Sequence, residues 1–239
     1  MSISSRLRAL VRLNAVPLFS PDAVRRLLVA LPAERALEPS AEELAPLLGV
    51  RLDAARRFRE AALGFDVDAE LEQVARLGAR VLSWDDPEFP DSLRLVADSP
   101  VLLYVLGKPM LSGPAVAIVG ARAPTVYGRR MARRLAGDLA AAGLTIVSGL
   151  ARGIDGEAHE AALERRGRTW AVLGSGLACL YPPEHQPLAR RLIEAGGCLF
   201  SELPLNSRPQ ALNFPRRNRI VAGLSWATVV VEGRERSGS

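Results

Sequence analysis

The chain has few of the residues that build metal centres and disulfide frameworks. Its 239 residues include two cysteines, Cys179 and Cys198, and two histidines, His159 and His185. Four such residues at these separations give neither a disulfide framework nor a zinc-binding spacing. We therefore expect no metal, no cofactor and a reducing compartment such as the cytoplasm.

Long apolar runs are also missing. The longest, 136–147 and 222–231, are interrupted by Asp138, Gly143 and Ser225 and are shorter than a bilayer span. The N-terminus has no continuous apolar segment and no cleavage site of the signal-peptide type. With 49% hydrophobic and 24% charged residues, the chain is typical of a globular cytoplasmic protein without a membrane partner.

Lysine is almost absent, since Lys108 is the one lysine among 31 basic residues. The net charge of +5 and an isoelectric point near 10.0 favour a polyanionic partner. Arginine forks bind phosphate oxygens and stack on bases, which suits nucleic acid. The base composition of the genome is an equally good explanation for the arginine bias.

Residues 1–75 are predicted to form a small all-helical domain of the SAM or helix-hairpin type. Apolar residues recur at a spacing of three to four over 7–11 and 24–31. Ser40 followed by Glu43 predicts a capping box that opens a helix over 41–48, and Asp53 is predicted to cap a helix over 54–63.

Residues 76–239 are predicted to form an α/β domain. Two lead-in strands are expected at 80–84 and 102–106. Apolar, β-branched runs then alternate with amphipathic segments, which predicts a parallel sheet covered by helices on both faces. The strands are expected at 115–119, 144–148, 169–174, 198–201 and 227–231, and the helices at 128–142, 156–166 and 184–195.

Three of the predicted strands end in glycine-rich turns, at 120–128, 148–156 and 174–176. Ligands of parallel α/β sheets bind at this edge, where backbone N–H groups and helix N-termini attract anions. Arg122 and Arg152 lie on two of the turns, so we predict an anion-binding rim. Tight turn geometry is an alternative reason for these glycines.

The segment N-F-P-R-R-N-R-I at 213–220 combines an aromatic residue with arginine and asparagine. In an extended segment, the ring would stack on a base and the cations would hold phosphates of a single strand. The alternative is that Phe214 belongs to the core and the arginines to a solvated helical turn.

Nothing in the sequence predicts catalysis. It contains neither G-x-G-x-x-G, nor a P-loop, nor a G-x-S-x-G nucleophile elbow. A triad of Ser148, His159 and Asp155 can be drawn, but His159 is better interpreted as a hydrogen-bonded packing residue. Asp155 is interpreted as the cap of the following helix.

The motifs V-A-I-V-G-A-R-x-P-T-x-Y-G, S-G-L-A-R-G-I-D-x-x-A-H, A-V-L-G-S-G-L, Y-P-P-E, N-F-P-R-R-N-R-I-V-A-G-L-S and E-R-S-G-S together resemble the DprA family, also called Smf. The resemblance covers about residues 79–239. It implies a non-enzymatic, Rossmann-like homodimer that binds and protects incoming single-stranded DNA during natural transformation and loads RecA recombinase on it.

The resemblance and the rim together predict a set of DNA-binding residues: Gly120, Ala121, Arg122, Gly149, Arg152, Gly174, Ser175, Gly176, Asn213, Phe214, Arg216, Arg217, Asn218 and Arg219. Ala121 replaces the hydroxyl residue that is usual in the family. An arginine, for which Arg208 is a candidate, must replace a pocket lysine. A-V-P at 15–17 stands where a helix-hairpin-helix would carry its glycine hairpin.

The family's last motif continues beyond Ser239, so we expect a fragment or a natural truncation that lacks dimer-forming surface. Two other functions remain open. One is a phosphoribohydrolase-like enzyme, although no P-G-G-x-G-T-x-x-E string occurs. The other is a sensor that binds a mononucleotide without turnover.

Overall fold

A computed structural model describes residues 4–16, 20–108 and 113–233. The capping box of Ser40 and Glu43 is confirmed, with Glu43 Oε2 accepting from the Ser40 N–H at 2.8 Å. The helix predicted at 54–63 begins earlier, and Asp53 lies in its first turn, 3.2 Å from Arg57. The N-terminal helices are α1 Ser5–Asn14, α2 Pro21–Ala30, α3 Ala41–Leu48, α4 Leu52–Leu63 and α5 Val67–Leu77.

These helices share one hydrophobic core. Leu27, Leu44 and Phe58 are fully buried in it, and Val101 and Leu102 of the following α/β part join them. The predicted boundary after residue 75 falls inside α5. Because Val101 and Leu102 belong to the core of the helices, the helices and the sheet are connected by packing as well as by sequence. The division into two domains stays a prediction.

Seven strands form one sheet within the described residues. The strands are β1 Ala79–Ser83, β2 Leu102–Gly107, β3 Ala115–Val119, β4 Thr145–Ser148, β5 Thr169–Val172, β6 Cys198–Ser201 and β7 Ala227–Val230. Their order in the sheet is β1-β2-β6-β5-β4-β3-β7. The five strands from β6 to β7 are parallel, as predicted, whereas β1 and β2 extend the sheet with antiparallel pairing.

Helices cover both faces of the sheet. The helices of this part are α6 Asp91–Arg94, α7 Val126–Ala141, α8 Ile154–Glu164, α9 Gln186–Glu194 and α10 Asn213–Gly223. On one face, alanines of α7 and α8 pack against Ile118 and Ile146, and small side chains allow the two helices to approach closely. On the other face, Ile220 and Val221 of α10 pack against Val147 and Val172.

The prediction of an extended segment at 213–220 is wrong, because α10 begins at Asn213. Pro215 lies in the first turn of this helix, where a missing N–H removes no intrahelical hydrogen bond. Its presence therefore did not exclude a helix. In the described parts of the chain, no helix is long and apolar enough to cross a membrane.

The order in which successive parallel strands are added to the sheet reverses at β3. From β3 the chain proceeds through β4 and β5 to β6 on one side, and it returns through α10 to β7 on the other side. Such a reversal leaves a crevice beyond the carboxyl ends of the strands, which is where open α/β sheets bind ligands.

Candidate nucleic-acid interface

A cavity of about 400 Å³ occupies this crevice. The turn after β3, the turn after β4 and the N-terminal half of α10 form its walls. Seven of the fourteen predicted DNA-binding residues line it together: Gly120, Ala121, Arg122, Gly149, Phe214, Arg217 and Asn218. Asp155, which was interpreted as a helix cap, lines it as well.

Arg217 forms the buried base of the cavity. Its side chain crosses from α10 to the strand ends, where Nη1 donates to the carbonyl oxygen of Gly149 at 2.6 Å and to that of Val172. Asp155 is equally buried and accepts from the N–H groups of Gly149 and Ala151 at 3.1 and 3.3 Å. Asp155 therefore braces the turn that precedes its helix and does not cap the helix, whose N-cap residue is Gly153.

The two buried side chains offset each other's charge. Burial raises the pKa of the Asp155 carboxyl group above its ordinary value, and the guanidinium of Arg217 opposes that shift. Burial lowers the pKa of Arg217, with Asp155 acting in the opposite direction and Arg122 adding to the lowering. Arg217 is therefore a structural cation that holds α10 against the strand ends.

The glycines of the turns make room for side chains and backbone. A Cβ on Gly149 would overlap the Arg217 guanidinium, and one on Gly174 would lie 2.7 Å from the Phe214 ring. A Cβ on Gly176 would overlap the carbonyl oxygens of Pro204 and Leu205. Close packing thus explains these three glycines.

Several backbone donors of the rim are already used inside the protein. The Ala121 N–H donates to Glu232 O at 2.7 Å, the Gly149 N–H to Asp155, and the Gly176 N–H to Ser207 O at 2.9 Å. These three groups do not form the expected phosphate cradle. Contact between the turns and DNA through other atoms stays a prediction.

Arg122 is the exposed cation at the mouth of the cavity. Its Cζ atom lies 4.9 Å from the centroid of the Phe214 ring, in cation–π geometry. Among the residues that the structure describes, no carboxylate forms a salt bridge with Arg122. Its charge is therefore available to an anion that enters the cavity.

Tyr181 is the residue of this site that sequence reasoning missed. Its ring centroid lies 5.7 Å from that of Phe214, with the planes inclined by 52°. Arg152 lies over the ring of Tyr181, with Cζ 5.7 Å from the ring centroid, and forms a salt bridge with Glu184 at 2.5 Å. The Y-P-P-E motif was the available signal, since it places an aromatic residue shortly after the third glycine turn.

Arg219 lies outside the cavity. Its guanidinium binds both carboxylate oxygens of Glu202, at 2.6 and 2.9 Å, and Asp98 at 3.3 Å. Asp98 also accepts from the N–H of Asp22 at 3.2 Å, and Asn14 Nδ2 donates to the carbonyl oxygen of Glu202 at 2.9 Å. This network joins α10 to the N-terminal helices, and a contact of Arg219 with DNA stays a prediction.

The remaining predicted residues surround the cavity. Asn213 and Arg216 lie beside Gly174 and Glu202 in a small adjoining pocket between α10 and the N-terminal helices. Ser175 is buried, and its carbonyl oxygen accepts from Ser201 Oγ at 2.8 Å. Its hydroxyl group is therefore not exposed at the surface of the rim.

The triad of Ser148, His159 and Asp155 does not form. Ser148 Oγ donates to the carbonyl oxygen of Ile118 at 2.6 Å, and His159 Nδ1 lies 2.6 Å from Thr169 Oγ1. Since the Thr169 hydroxyl donates to Ile146 O at 2.9 Å, it accepts from Nδ1–H of the histidine. Burial also lowers the pKa of His159 to about 3. The prediction of a hydrogen-bonded packing residue is confirmed.

Comparisons with known proteins agree with the motifs. The family model for DNA recombination-mediator protein A matches residues 80–239. Protein Smf of Escherichia coli is 44% identical over 195 residues, covering 80% of this chain and 51% of the relative. DNA processing protein DprA of Bacillus subtilis is 38% identical over 164 residues, covering 68% and 55% respectively.

Two solved structures share the fold. The X-ray structure of DNA processing protein A from Streptococcus pneumoniae matches with a TM-score of 0.77 at 32% identity, covering 100% of this chain and 81% of that one. DNA processing protein A from Helicobacter pylori, whose structure describes a unique single-stranded DNA binding mode, matches with a TM-score of 0.60 at 31% identity, covering 67% and 72%.

The chain spans 51% of the E. coli relative and 55% of the B. subtilis relative. The family match nevertheless covers the whole sheet from β1 onwards, apart from its first residue, and all three glycine turns. The chain therefore belongs to the DNA recombination-mediator protein A family, whose curated relatives are named DprA or Smf.

Proposed function

We propose that this chain binds single-stranded DNA in the cavity at the carboxyl edge of its sheet, as a recombination mediator that catalyses no reaction. The observation that carries the proposal is the position of Arg122. An exposed guanidinium lies directly over an aromatic ring at the mouth of a cavity, and single-stranded nucleic acid is bound by cations and stacking rings in combination.

The charges of the neighbouring arginines support a specific role for Arg122. Arg152 is paired with Glu184, Arg219 with Glu202, and Arg217 is buried beside Asp155. A phosphate would have to compete with a carboxylate for Arg152 and Arg219, and the buried guanidinium of Arg217 already donates to backbone carbonyl oxygens. At Arg122 the residues that the structure describes offer no competing carboxylate, and the face of an aromatic ring holds an exposed cation weakly.

The size of the cavity favours a single strand over a duplex. A volume of about 400 Å³ is at the lower end of the range for small-ligand pockets, and it suits one nucleotide. Bases in a duplex are stacked and paired, so their faces are not accessible to Phe214, whereas an unpaired base can enter.

Membership of the family supports further proposals about the whole protein. We propose that the bound strand is handed to RecA recombinase, that the full-length protein acts as a homodimer in the cytoplasm, and that the strand is incoming DNA during natural transformation. Single-stranded DNA binding, which is described for the H. pylori relative, is the part of this proposal that the present cavity supports most directly.

A competition experiment tests the proposal. A labelled oligonucleotide bound to the chain is displaced with unlabelled single strands of increasing length and with the mononucleotides dTMP and AMP. We expect longer strands to compete better, because several phosphates contribute to binding. Equal competition by a mononucleotide and a long strand would contradict the proposal and favour a nucleotide sensor.

A nucleotide-processing function is the second candidate, because the buried carboxyl group of Asp155, with its raised pKa, lies in a cavity of nucleotide size. Such an enzyme would release free adenine from AMP. We expect none when the chain is incubated with AMP and the products are separated by chromatography. Release of adenine that is lost in Asp155→Asn would establish the enzymatic function instead.

A further inference from the structure

Four side chains from four different segments form a continuous column beside the cavity. Arg122 lies over Phe214 at 4.9 Å, Phe214 lies 5.7 Å from Tyr181, and Arg152 lies over Tyr181 at 5.7 Å. The order is therefore cation, ring, ring, cation. In this arrangement Arg122 and Tyr181 both contact Phe214, and a base that stacks on the face where Arg122 lies must displace the guanidinium.

Tyr181 and Arg152 are held in place. Arg152 Nε contacts Glu184 at 2.5 Å, and Arg152 Nη1 lies 3.4 Å from the Tyr181 hydroxyl oxygen. Phe214 is confined as well, because the backbone of Gly174 passes so close that a Cβ there would lie 2.7 Å from the ring. These contacts fix the inner part of the column.

Arg122 is the exchangeable member. It is exposed, and in the described parts of the chain it has neither a salt bridge nor a hydrogen bond that would hold it on the ring. A cation over an exposed ring is bound more weakly than a stacked base. A strand that offers both a base and a phosphate can therefore replace the guanidinium on the ring and bind it at the same time.

We propose that Tyr181 is a positioning residue for nucleobase stacking. The base takes the place of Arg122 on Phe214, Arg122 turns to the phosphate of the bound strand, and Tyr181 keeps the Phe214 ring in position through their contact. Arg152 and Glu184 keep Tyr181 in position. This inference rests on the proposed function, since it identifies which ring supports the base once single-stranded DNA is bound.

The test uses oligothymidylate with one 2-aminopurine, whose fluorescence falls when the base stacks. For the unsubstituted chain we expect quenching on binding. For Tyr181→Ala we expect a loss of quenching and an affinity lower by about fivefold, with an unchanged dependence on salt, because stacking and not phosphate contact is weakened. Tyr181→Phe keeps the ring and should restore both quantities.

Tyr181→Leu provides a second variant, which keeps more of the side-chain volume than alanine does, in case the alanine variant unfolds, as thermal unfolding will show. It lacks a ring and should behave like Tyr181→Ala. Quenching and affinity at the original level in a folded Tyr181→Leu protein would overturn the inference and leave DNA binding intact. Equal losses in Tyr181→Phe would also overturn it, because they would assign the effect to the hydroxyl group.

Failure of the proposed function gives a different result from failure of this inference. If the unsubstituted chain does not bind the oligonucleotide, single-stranded DNA binding itself is contradicted. If the unsubstituted chain binds, and Tyr181→Ala and Tyr181→Leu show the same quenching and affinity as the unsubstituted chain, the role of Tyr181 is contradicted and DNA binding is not.

Discussion

Arg122 and Phe214 contact each other directly, with Cζ of the arginine 4.9 Å from the centroid of the ring. Arg122 lies on the first glycine turn and Phe214 lies on α10, 92 positions later in the sequence. The residue proposed to bind phosphate and the residue proposed to stack on a base are thus in direct contact. Their contributions to binding can be distinguished, because phosphate contacts depend on salt and stacking hardly does.

Arg122→Ala should weaken binding to single-stranded DNA and reduce its dependence on salt. Each phosphate contact that is lost removes roughly 0.7 from the slope of log K against log salt on single strands. Titrations monitored by fluorescence anisotropy at several salt concentrations measure this slope. Arg57→Ala, which removes an exposed arginine paired with Asp53 on α4, is the matched control and should leave the slope unchanged.

Gly174→Ala should weaken binding while leaving the salt slope nearly intact. The new methyl group would lie 2.7 Å from Phe214 Cδ1, so the ring must move from its position beside Tyr181. We expect a loss of affinity of about tenfold, which is within the range for one lost stacking contact. In Gly137→Ala the nearest atoms to the methyl group belong to Arg165, at 3.5 Å, and this control should bind DNA normally.

Arg219→Ala should destabilise the fold more than it affects the salt dependence of DNA binding. The guanidinium binds Glu202 and Asp98, and both Arg219 and Glu202 are largely buried. Removing one partner of such a pair leaves an unpaired charge and costs about 3 kcal/mol in the free energy of unfolding. Urea denaturation measures this cost, and a salt slope reduced as in Arg122→Ala would assign Arg219 to the DNA site instead.

Stability should fall in mild acid because of His159. The pKa of this buried residue is lowered from 6.5 to about 3, so between these values the unfolded state binds more protons than the folded state. The full free energy of unfolding is therefore retained above pH 6.5, and it decreases progressively as the pH falls towards about 3. At about pH 5 the loss amounts to about 2 kcal/mol relative to neutral pH.

His159→Gln removes this titration. The variant should lose less stability than the original chain between neutral pH and about pH 5 when urea denaturation is compared at the two values. The same loss in both proteins would show that other groups, and not His159, carry the acid sensitivity.

The sheet could be predicted from sequence because its strands are short runs of buried apolar residues. The predicted bounds of 115–119 and 198–201 agree with β3 and β6, and the other strand ends differ by no more than two residues. The sequence left a helical start of α10 only as the alternative to an extended segment. The helix packs against β5 and α6, and the sequence does not reveal these contacts between distant parts of the chain.

The site could be predicted only in part, for a physical reason. Parallel strands bring their carboxyl ends to one edge whatever the loops do, so the turns that carry Arg122 and Gly149 were expected together. The segment 213–219 was added to them by the family resemblance. The partners of the arginines depend on where loops pass, and sequence does not reveal that Glu202 binds Arg219 or that Tyr181 lies against Phe214. Cation content alone therefore overestimated the charge available to DNA.

The most direct test of the account compares single-stranded and duplex oligonucleotides of equal length by fluorescence anisotropy at two salt concentrations. We expect the chain to prefer the single strand clearly, with binding that weakens as salt is raised, because phosphate contacts and unpaired bases both contribute. Equal affinity for the two forms, or no binding to either, would contradict the central claim that the cavity beside Arg122 and Phe214 binds single-stranded DNA.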